Sequence, residues 1–321
     1  MIRKLFSTLL CAFALLLLMG AGTAPQQPVT VLAEEESAAE TDGALGTEVQ
    51  SVYEVSSQAI PAAAAANPIE LAESTESRLL VDGVAAPAEV EMTQKDGVTY
   101  VALANMALCL DKAAAANWNA ESQVLTVTTS KLSLTAKVGQ LYLEANGRYL
   151  YLPEGVQMVN GKVVVPLWAI TEAFDAKLGW ESSTGIVTVT RGSGAIQSGD
   201  SYYDQNDLFW LSRIIYAESG NQPLEGQMAV GIVVMNRVES PIYPNTVEGV
   251  LAQKNQFTTY RSGKLAGCTP NASSVAAAKL VLDGAVVEKT KNALYFDSAP
   301  NSWAARNRTC IAVIGGHRFY A

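Results

Sequence analysis

Histidine occurs once in this chain, at His317, and cysteine four times in 321 residues. One imidazole cannot build the several-ligand site of a zinc amidase, nor a copper centre, which wants imidazoles or clustered thiolates. Basic residues are missing altogether from Glu34 to Glu76, where ten acids stand. That stretch holds the acidic excess of a chain with 31 Asp and Glu, 22 Lys and Arg and a formal net charge of −9. The remainder is close to neutral and gives no electrostatic case for nucleic acid as a partner. No metal and no cofactor is called for.

The apolar stretch Leu5 to Met19 is too short for a comfortable membrane span. Arg3 and Lys4 precede it and the small residues Gly20 to Ala24 follow, the pattern of a secretory signal. Cleavage after Gly22-Thr23-Ala24 meets Pro25, so Val31-Leu32-Ala33 before Glu34 is the better site, with an uncleaved anchor as the alternative. Cys11 lies too early for a lipoprotein site. Residues 1–33 are therefore assigned to the signal. Residues 34–77, rich in Ala, Glu, Ser and Thr, read as a disordered acidic and Ala-rich linker.

From Arg78 to Arg191 a unit recurs. Asp96-Gly97, the run Val98 to Leu103, Leu110-Asp111, Trp118 and Val124 to Thr128 make the first copy. Asn160-Gly161, Lys162 to Leu167, Phe174-Asp175, Trp180 and Ile186 to Thr190 make the second. Each copy reads as tight turn, strand, short helix, Trp and strand. The segment, taken as 78–191, resembles the copper amine oxidase N-terminal-like domain. The family name suggests copper, but Cys109 is the segment's lone thiol and His317 lies far outside it. Wall or surface attachment is the expected role, and an inert spacer the alternative. Residues 192–203 read as a Gly/Ser hinge before a final domain, 204–321.

That domain opens with Leu208, Leu211, Ile214 and Ile215 at helical spacing. Glu218 lies four residues beyond Ile214 and three beyond Ile215, so a continuing helix carries it on the apolar face. A lone carboxylate there is desolvated, keeps its proton at higher pH and suits a general acid. Periodicity alone leaves open a surface Glu at a frayed helix end. Pro223 to Val238 reads as a second, buried helix, with Pro223 in its first turn and Glu225 structural. Asn236 and Arg237 are placed to hold the loop that follows.

Here a second resemblance is carried by long motifs in order. They are Tyr216-Ala217-Glu218-Ser219-Gly220-Asn221-Gln222-Pro223-Leu224-Glu225-Gly226-Gln227, Val234-Met235-Asn236-Arg237-Val238, Tyr243-Pro244-Asn245-Thr246, Gln256-Phe257-Thr258, Ala293-Leu294-Tyr295-Phe296, Trp303 and Ile314-Gly315-Gly316-His317-Arg318-Phe319-Tyr320. The domain is similar to the SleB-type cell-wall hydrolases, themselves like the lysozyme-like lytic transglycosylases. The resemblance implies peptidoglycan as partner and Glu218 as the catalytic residue. The expected fold is α+β: a β-rich duplicated β-α-β module, then a mainly α lysozyme-like domain with a few late strands. The expected location is secreted, at the cell wall or cell surface, with vegetative wall and spore cortex both open as substrates.

Two positions depart from the family. Many members carry Arg-Gly-Glu just after the catalytic Glu, where this chain has Gly220-Asn221-Gln222. Many carry Asn where this chain has Asp297, which makes Asp297 a possible second carboxylate. A hydrolase usually needs two carboxylates, whereas the transglycosylase route that the resemblance implies needs one. Gln256, Phe257, Thr258, Tyr260, Tyr295 and Trp303 are the candidate sugar contacts, since amides and aromatic faces suit a saccharide. Each also fits plain packing, and Tyr295 is expected on a buried strand. Two other classes compete. A thiol peptidase would use Cys268 or Cys310 with His317, although that cysteine pair also suits a disulfide. A non-catalytic wall-binding protein would keep both modules without activity.

Overall fold

The computed structural model describes residues 78–321, all within one compact unit. The expected signal and linker, 1–77, lie outside the described residues. The chain belongs to the α+β class, β-rich first and helical afterwards.

Strands β1 (Leu79–Val81) and β2 (Val84–Ala85) form a first hairpin. The first copy of the repeat follows as β3 (Met92–Lys95), β4 (Val98–Ala102), α1 (Leu103–Leu110), β5 (Ala115–Asn119) and β6 (Val124–Thr128). A meander of β7 (Ser133–Lys137), β8 (Tyr142–Ala145) and β9 (Arg148–Tyr151) separates it from the second copy. That copy is β10 (Gln157–Val159), β11 (Lys162–Pro166), α2 (Leu167–Ala173), β12 (Lys177–Glu181) and β13 (Ile186–Thr190).

The first two strands of each copy are joined by a two-residue turn with both φ angles positive: 50° and 79° at Asp96-Gly97, 49° and 75° at Asn160-Gly161. This backbone twist matches that of the flanking strands and selects Asx-Gly. The copies join through antiparallel β4 and β11, Val101 opposite Val165, in a sheet ordered β10-β11-β4-β3. Helices α1 and α2 bury Leu103, Met106, Leu167 and Ile170 in one shared core. The copies differ in their last partner: β6 pairs antiparallel with β7, whereas β13 pairs in parallel with β1.

The helical part comprises α3 (Gly199–Tyr202), α4 (Gln205–Ser219), α5 (Leu224–Glu239), α6 (Val247–Leu251), α7 (Thr258–Arg261) and α8 (Ala272–Leu282). After it come β14 (Tyr295–Asp297), α9 (Trp303–Asn307), β15 (Cys310–Ile314) and β16 (His317–Tyr320), with strand order β14-β16-β15. Asp204 caps α4, its carboxylate accepting the N–H groups of Asn206 and Asp207. Every residue of α5 from Gly226 to Val234 is buried, which makes it the central helix. Pro223 stands just before α5, not inside its first turn. A Cβ on Gly231 would lie 2.9 Å from Ile215 Cδ1, so glycine there lets α4 lie close on α5.

The segment 192–203, expected as a hinge, is held along its length. The N–H groups of Gly194, Ile196 and Gly199 donate to the carbonyls of Phe174, Ala173 and Asn146. A Cβ on Gly192 would fall 1.7 Å from the Asp175 carbonyl oxygen. The small residues there permit close backbone contact, not freedom. Beyond them the two parts meet where Leu141, Tyr142, Tyr149 and Tyr151 pack against the helical core. Arg148 of β9, 8% exposed, grips Asp283 through Nε at 3.0 Å and through Nη2. Tyr203 donates to the same carboxylate at 2.9 Å, and Tyr151 donates to Glu225 at 2.8 Å. Glu225 thus serves this seam, as its structural reading expects.

Candidate active site

Leu211, Ile214 and Ile215 on α4 are fully buried, and Glu218 continues their face one turn later. It is half-buried at the helix's C-terminal end. Among the described residues no hydrogen bond or ion pair reaches its carboxylate. Burial pushes that carboxyl above the ordinary range, because little water and no partner stabilise the anion. The C-terminal end of the helix macrodipole disfavours negative charge as well.

The turn after Glu218 is pinned on several sides. Asn271, which caps α8 through the Ser274 N–H, also donates to the Gly220 carbonyl at 3.0 Å. Gln227, 2% exposed, donates to the Gln222 carbonyl at 2.8 Å and accepts from Ser274 Oγ at 2.8 Å. Gln222 Oε1 accepts the Gly316 N–H at 2.7 Å, tying the turn to the β15–β16 hairpin. Gly220-Asn221-Gln222, the departure from the family stretch, thus supplies this anchoring.

Four of the six candidate sugar contacts gather elsewhere, around Arg237 in the last turn of α5. Its guanidinium donates to Gln256 Oε1 at 3.0 Å and to the Leu294 carbonyl at 2.8 Å. It lies 5.5 Å from the Tyr295 ring centre and 5.7 Å from that of Phe257. Trp303 stands 5.6 Å from Tyr295, ring to ring, and is 53% exposed. Tyr243 donates to the Tyr295 hydroxyl at 3.1 Å. That bond, with a second from Arg308, holds the Tyr295 phenol below its ordinary range, while burial pulls the Arg237 guanidinium down. Asn236 and Arg237 hold the segment leading into β14, through the carbonyls of Ala293 and Leu294, where the loop just after α5 was expected.

No hydrogen bond or ring contact among the described residues joins this cluster to Glu218. Arg237 lies 13 residues along α5 from Leu224, about 20 Å at 1.5 Å per residue. Glu218 closes α4, before the turn into α5, whereas the aromatic platform gathers at the far end of α5.

The other expected residues divide. Tyr260 spends its hydroxyl on Glu248 at 3.0 Å and its ring against Trp210. Phe257 is buried and Thr258 exposed at the start of α7. Tyr295 is on a strand as expected, but half-buried. Asp297 accepts its own turn's Ala299 N–H at 2.6 Å. His317 is buried with Nδ1 lacking a partner, and burial pulls its imidazole below the usual range, against the pull of Asp297. Cys109, Cys268 and Cys310 are free thiols, so the Cys268–Cys310 disulfide considered from the sequence is not formed. Cys310 pairs opposite Tyr320 and His317 opposite Ile314, at different ends of one hairpin. That register separates the thiol from the imidazole.

Sequence reasoning missed Tyr243 and Arg308 as members of the cluster. Tyr243 stood in a quoted motif. Arg308 sits in a polar stretch with no periodic signal. Two cavities lie away from Glu218. One of about 780 Å³ is in the duplicated module, lined by Val84, Leu108, Cys109 and Arg191 among others. The other, of about 490 Å³, is at the seam, lined by Tyr149, Tyr151, Trp168 and Asp283 among others.

Residues 221–320 match the family described as Cell Wall Hydrolase, and residues 80–189 the Copper amine oxidase N-terminal domain. Glu218 lies just before the first of these stretches. A spore cortex-lytic enzyme of Bacillus cereus is 38% identical over 120 residues, 36% of this chain and 45% of that protein. Those of Oceanobacillus iheyensis and Bacillus subtilis are 34% and 32% identical over 120 residues, 36% of this chain and 42% and 38% of theirs. The chain thus spans less than half the length of these curated relatives. The solved catalytic domain of the germination-specific lytic transglycosylase SleB from Bacillus anthracis is 34% identical. The match covers 39% of this chain and all of that one, with a TM-score of 0.34. The catalytic domain of the Bacillus cereus SleB protein is 36% identical, with 37% and 92% covered and a TM-score of 0.34.

Proposed function

We propose, from the match of residues 221–320 to the Cell Wall Hydrolase family and of residues 80–189 to the Copper amine oxidase N-terminal domain, that this chain degrades peptidoglycan with Glu218 as the catalytic acid. The bond broken joins N-acetylmuramic acid to N-acetylglucosamine. Glu218, protonated, gives its proton to the bridging oxygen as the bond from the muramic C1 breaks. As a carboxylate it then takes the proton of the C6 hydroxyl, whose oxygen closes on C1. The product is a 1,6-anhydro ring, no water is consumed, and Glu218 ends protonated as it began.

The observation that carries this reading is the state of the Glu218 carboxyl: half-buried beyond Ile214 and Ile215, free of partners among the described residues, and held toward its protonated form by burial. A general acid works best when it keeps its proton near the working pH. Asp297 has its Oδ1 engaged with the Ala299 N–H of its own turn, which favours the one-carboxylate route. Mass spectrometry of strands digested with the full chain tests it. Anhydro ends are expected. Ends heavier by one water would defeat the transglycosylase route and return Asp297 as second carboxylate.

The substrate lies in the wall, outside the membrane, and the module 78–191 attaches the enzyme there. Support comes from Trp118 and Trp180, 40% and 66% exposed at matching places in the two copies. If a variant with both changed to Ala sedimented with wall sacculi as fully as the parent, these rings would have no part in attachment.

A further inference from the structure

Arg308 is exposed, yet its guanidinium is held. Its centre lies 5.1 Å from the ring centres of both Tyr295 and Trp303. Nη2 donates to the Tyr295 hydroxyl at 3.4 Å and Nη1 to the Asn307 carbonyl at 3.2 Å. No carboxylate among the described residues pairs with it. Arg237 lies against the same Tyr295 ring, is 4% exposed and, among the described residues, bonds only to uncharged acceptors, Gln256 Oε1 and the Leu294 carbonyl. Its guanidinium centre lies 5.4 Å from the Tyr243 ring centre and 5.5 Å from that of Tyr295.

Arg237, a buried positive charge with no counter-ion among the described residues, is a costly arrangement, since a buried charge is normally paired, and Arg308 sets a second positive charge against the same Tyr295 ring. Asp297, two residues along β14 from Tyr295, is turned onto the Ala299 N–H. A guanidinium already fixed by two rings loses little freedom on binding, and its planar fork matches a carboxylate. We propose that Arg308, backed by Arg237 and flanked by Tyr295 and Trp303, forms an anion subsite that reads a carboxylate carried by the glycan strand. The exposed Trp303 face takes a sugar ring, and Arg308 takes the acidic group beside it. The proposal rests on the glycan reading for the source of that carboxylate, which is either the lactyl group of the muramic ring or the stem peptide attached to it.

The test reads binding, so it decides the subsite whether or not Glu218 is the acid. Calorimetry would use the full chain carrying Glu218→Gln, with three ligands. These are an uncharged N-acetylglucosamine oligomer, strands stripped of peptide so that the lactyl carboxylate is free, and strands that carry stem peptides. Arg308→Gln is expected to weaken the carboxylate-bearing ligands by about tenfold, the scale of one charge-assisted pair, and to leave the uncharged oligomer unchanged. Arg308→Lys should recover part of the loss, and added salt should shrink the difference. A loss confined to stripped strands identifies the lactyl group, and one confined to peptide-bearing strands identifies the stem. An equal loss on all three ligands, or none on any, would overturn the proposal. Cleavage by the Glu218→Gln chain during the titration would count against the catalytic assignment alone.

Discussion

At the seam between the duplicated module and the helical domain, Arg148 is buried with its counter-ion Asp283 and a tyrosine bonded to the same carboxylate. In the candidate site Glu218 and Arg237 are withdrawn from water without a counter-ion among the described residues. Both regions carry a desolvation cost, and among the described residues the seam offsets it with a counter-ion. A paired buried charge fixes two parts of a fold against each other. On the proposed reading an unpaired one waits for something that arrives, a proton acceptor at Glu218 and an anion at the Arg237–Arg308 platform. The contrast predicts that equivalent deletions behave differently in the two places.

The largest effect belongs to Glu218→Gln. It should cut strand cleavage by roughly 10²–10⁴-fold, the usual worth of a general acid, with folding intact by circular dichroism. Retained turbidity loss on purified sacculi would remove Glu218 from the mechanism. Next, Arg148→Ala should lower unfolding free energy by ~3–5 kcal/mol, because the Asp283 carboxylate is left buried without its counter-ion, with only the Tyr203 hydroxyl bonded to it among the described residues. Arg237→Met, which strands only uncharged acceptors, should cost less, ~1–3 kcal/mol. Denaturation midpoints of the two variants compare the regions directly, and equal losses would erase the distinction. Smaller again, Trp303→Ala should weaken strand binding by ~0.5–1 kcal/mol if its exposed ring and Arg308 act together. It should spare short oligosaccharides that do not span the length of α5.

The smallest effect is on stability against pH. Burial raises the Glu218 carboxyl in the folded state. Below the ordinary Glu value of about 4.3 the group is protonated, folded or unfolded, and costs nothing. As pH rises from there through the raised folded value, the wild type loses stability because the ionised form is disfavoured in place. Glu218→Gln should therefore match the wild type in acid and melt higher near neutrality. Parallel melting curves across that range would contradict the burial of Glu218.

Much of this was legible in the residues. Asp96-Gly97 and Asn160-Gly161 announced both copies, and Leu211, Ile214 and Ile215 gave the helix that carries Glu218 because 3.6-residue periodicity is a local property. The Asp82-Gly83 and Asn146-Gly147 turns, also left-handed pairs, offered the same signal and went unread. What stayed hidden was long-range. Nothing local ties Arg148 to Asp283, 135 residues on, or brings Arg308 beside Trp303 and Tyr295. The glycines of 192–203 looked like freedom, but tight packing and flexible linkage use the same residue. Gln256, Phe257, Tyr295 and Trp303 did converge. Tyr260 went to Glu248, since composition cannot say which acceptor a hydroxyl will find.

The most direct test is a carboxyl-carbon NMR titration of Glu218 in the full chain, its resonance assigned by its absence in Glu218→Gln. The account predicts a midpoint above the ordinary glutamate range and a second, lower plateau of catalytic activity once that midpoint is passed. A midpoint at or below the ordinary value would mean that water or an unseen partner stabilises the anion, and Glu218 would then be no acid waiting for a sugar.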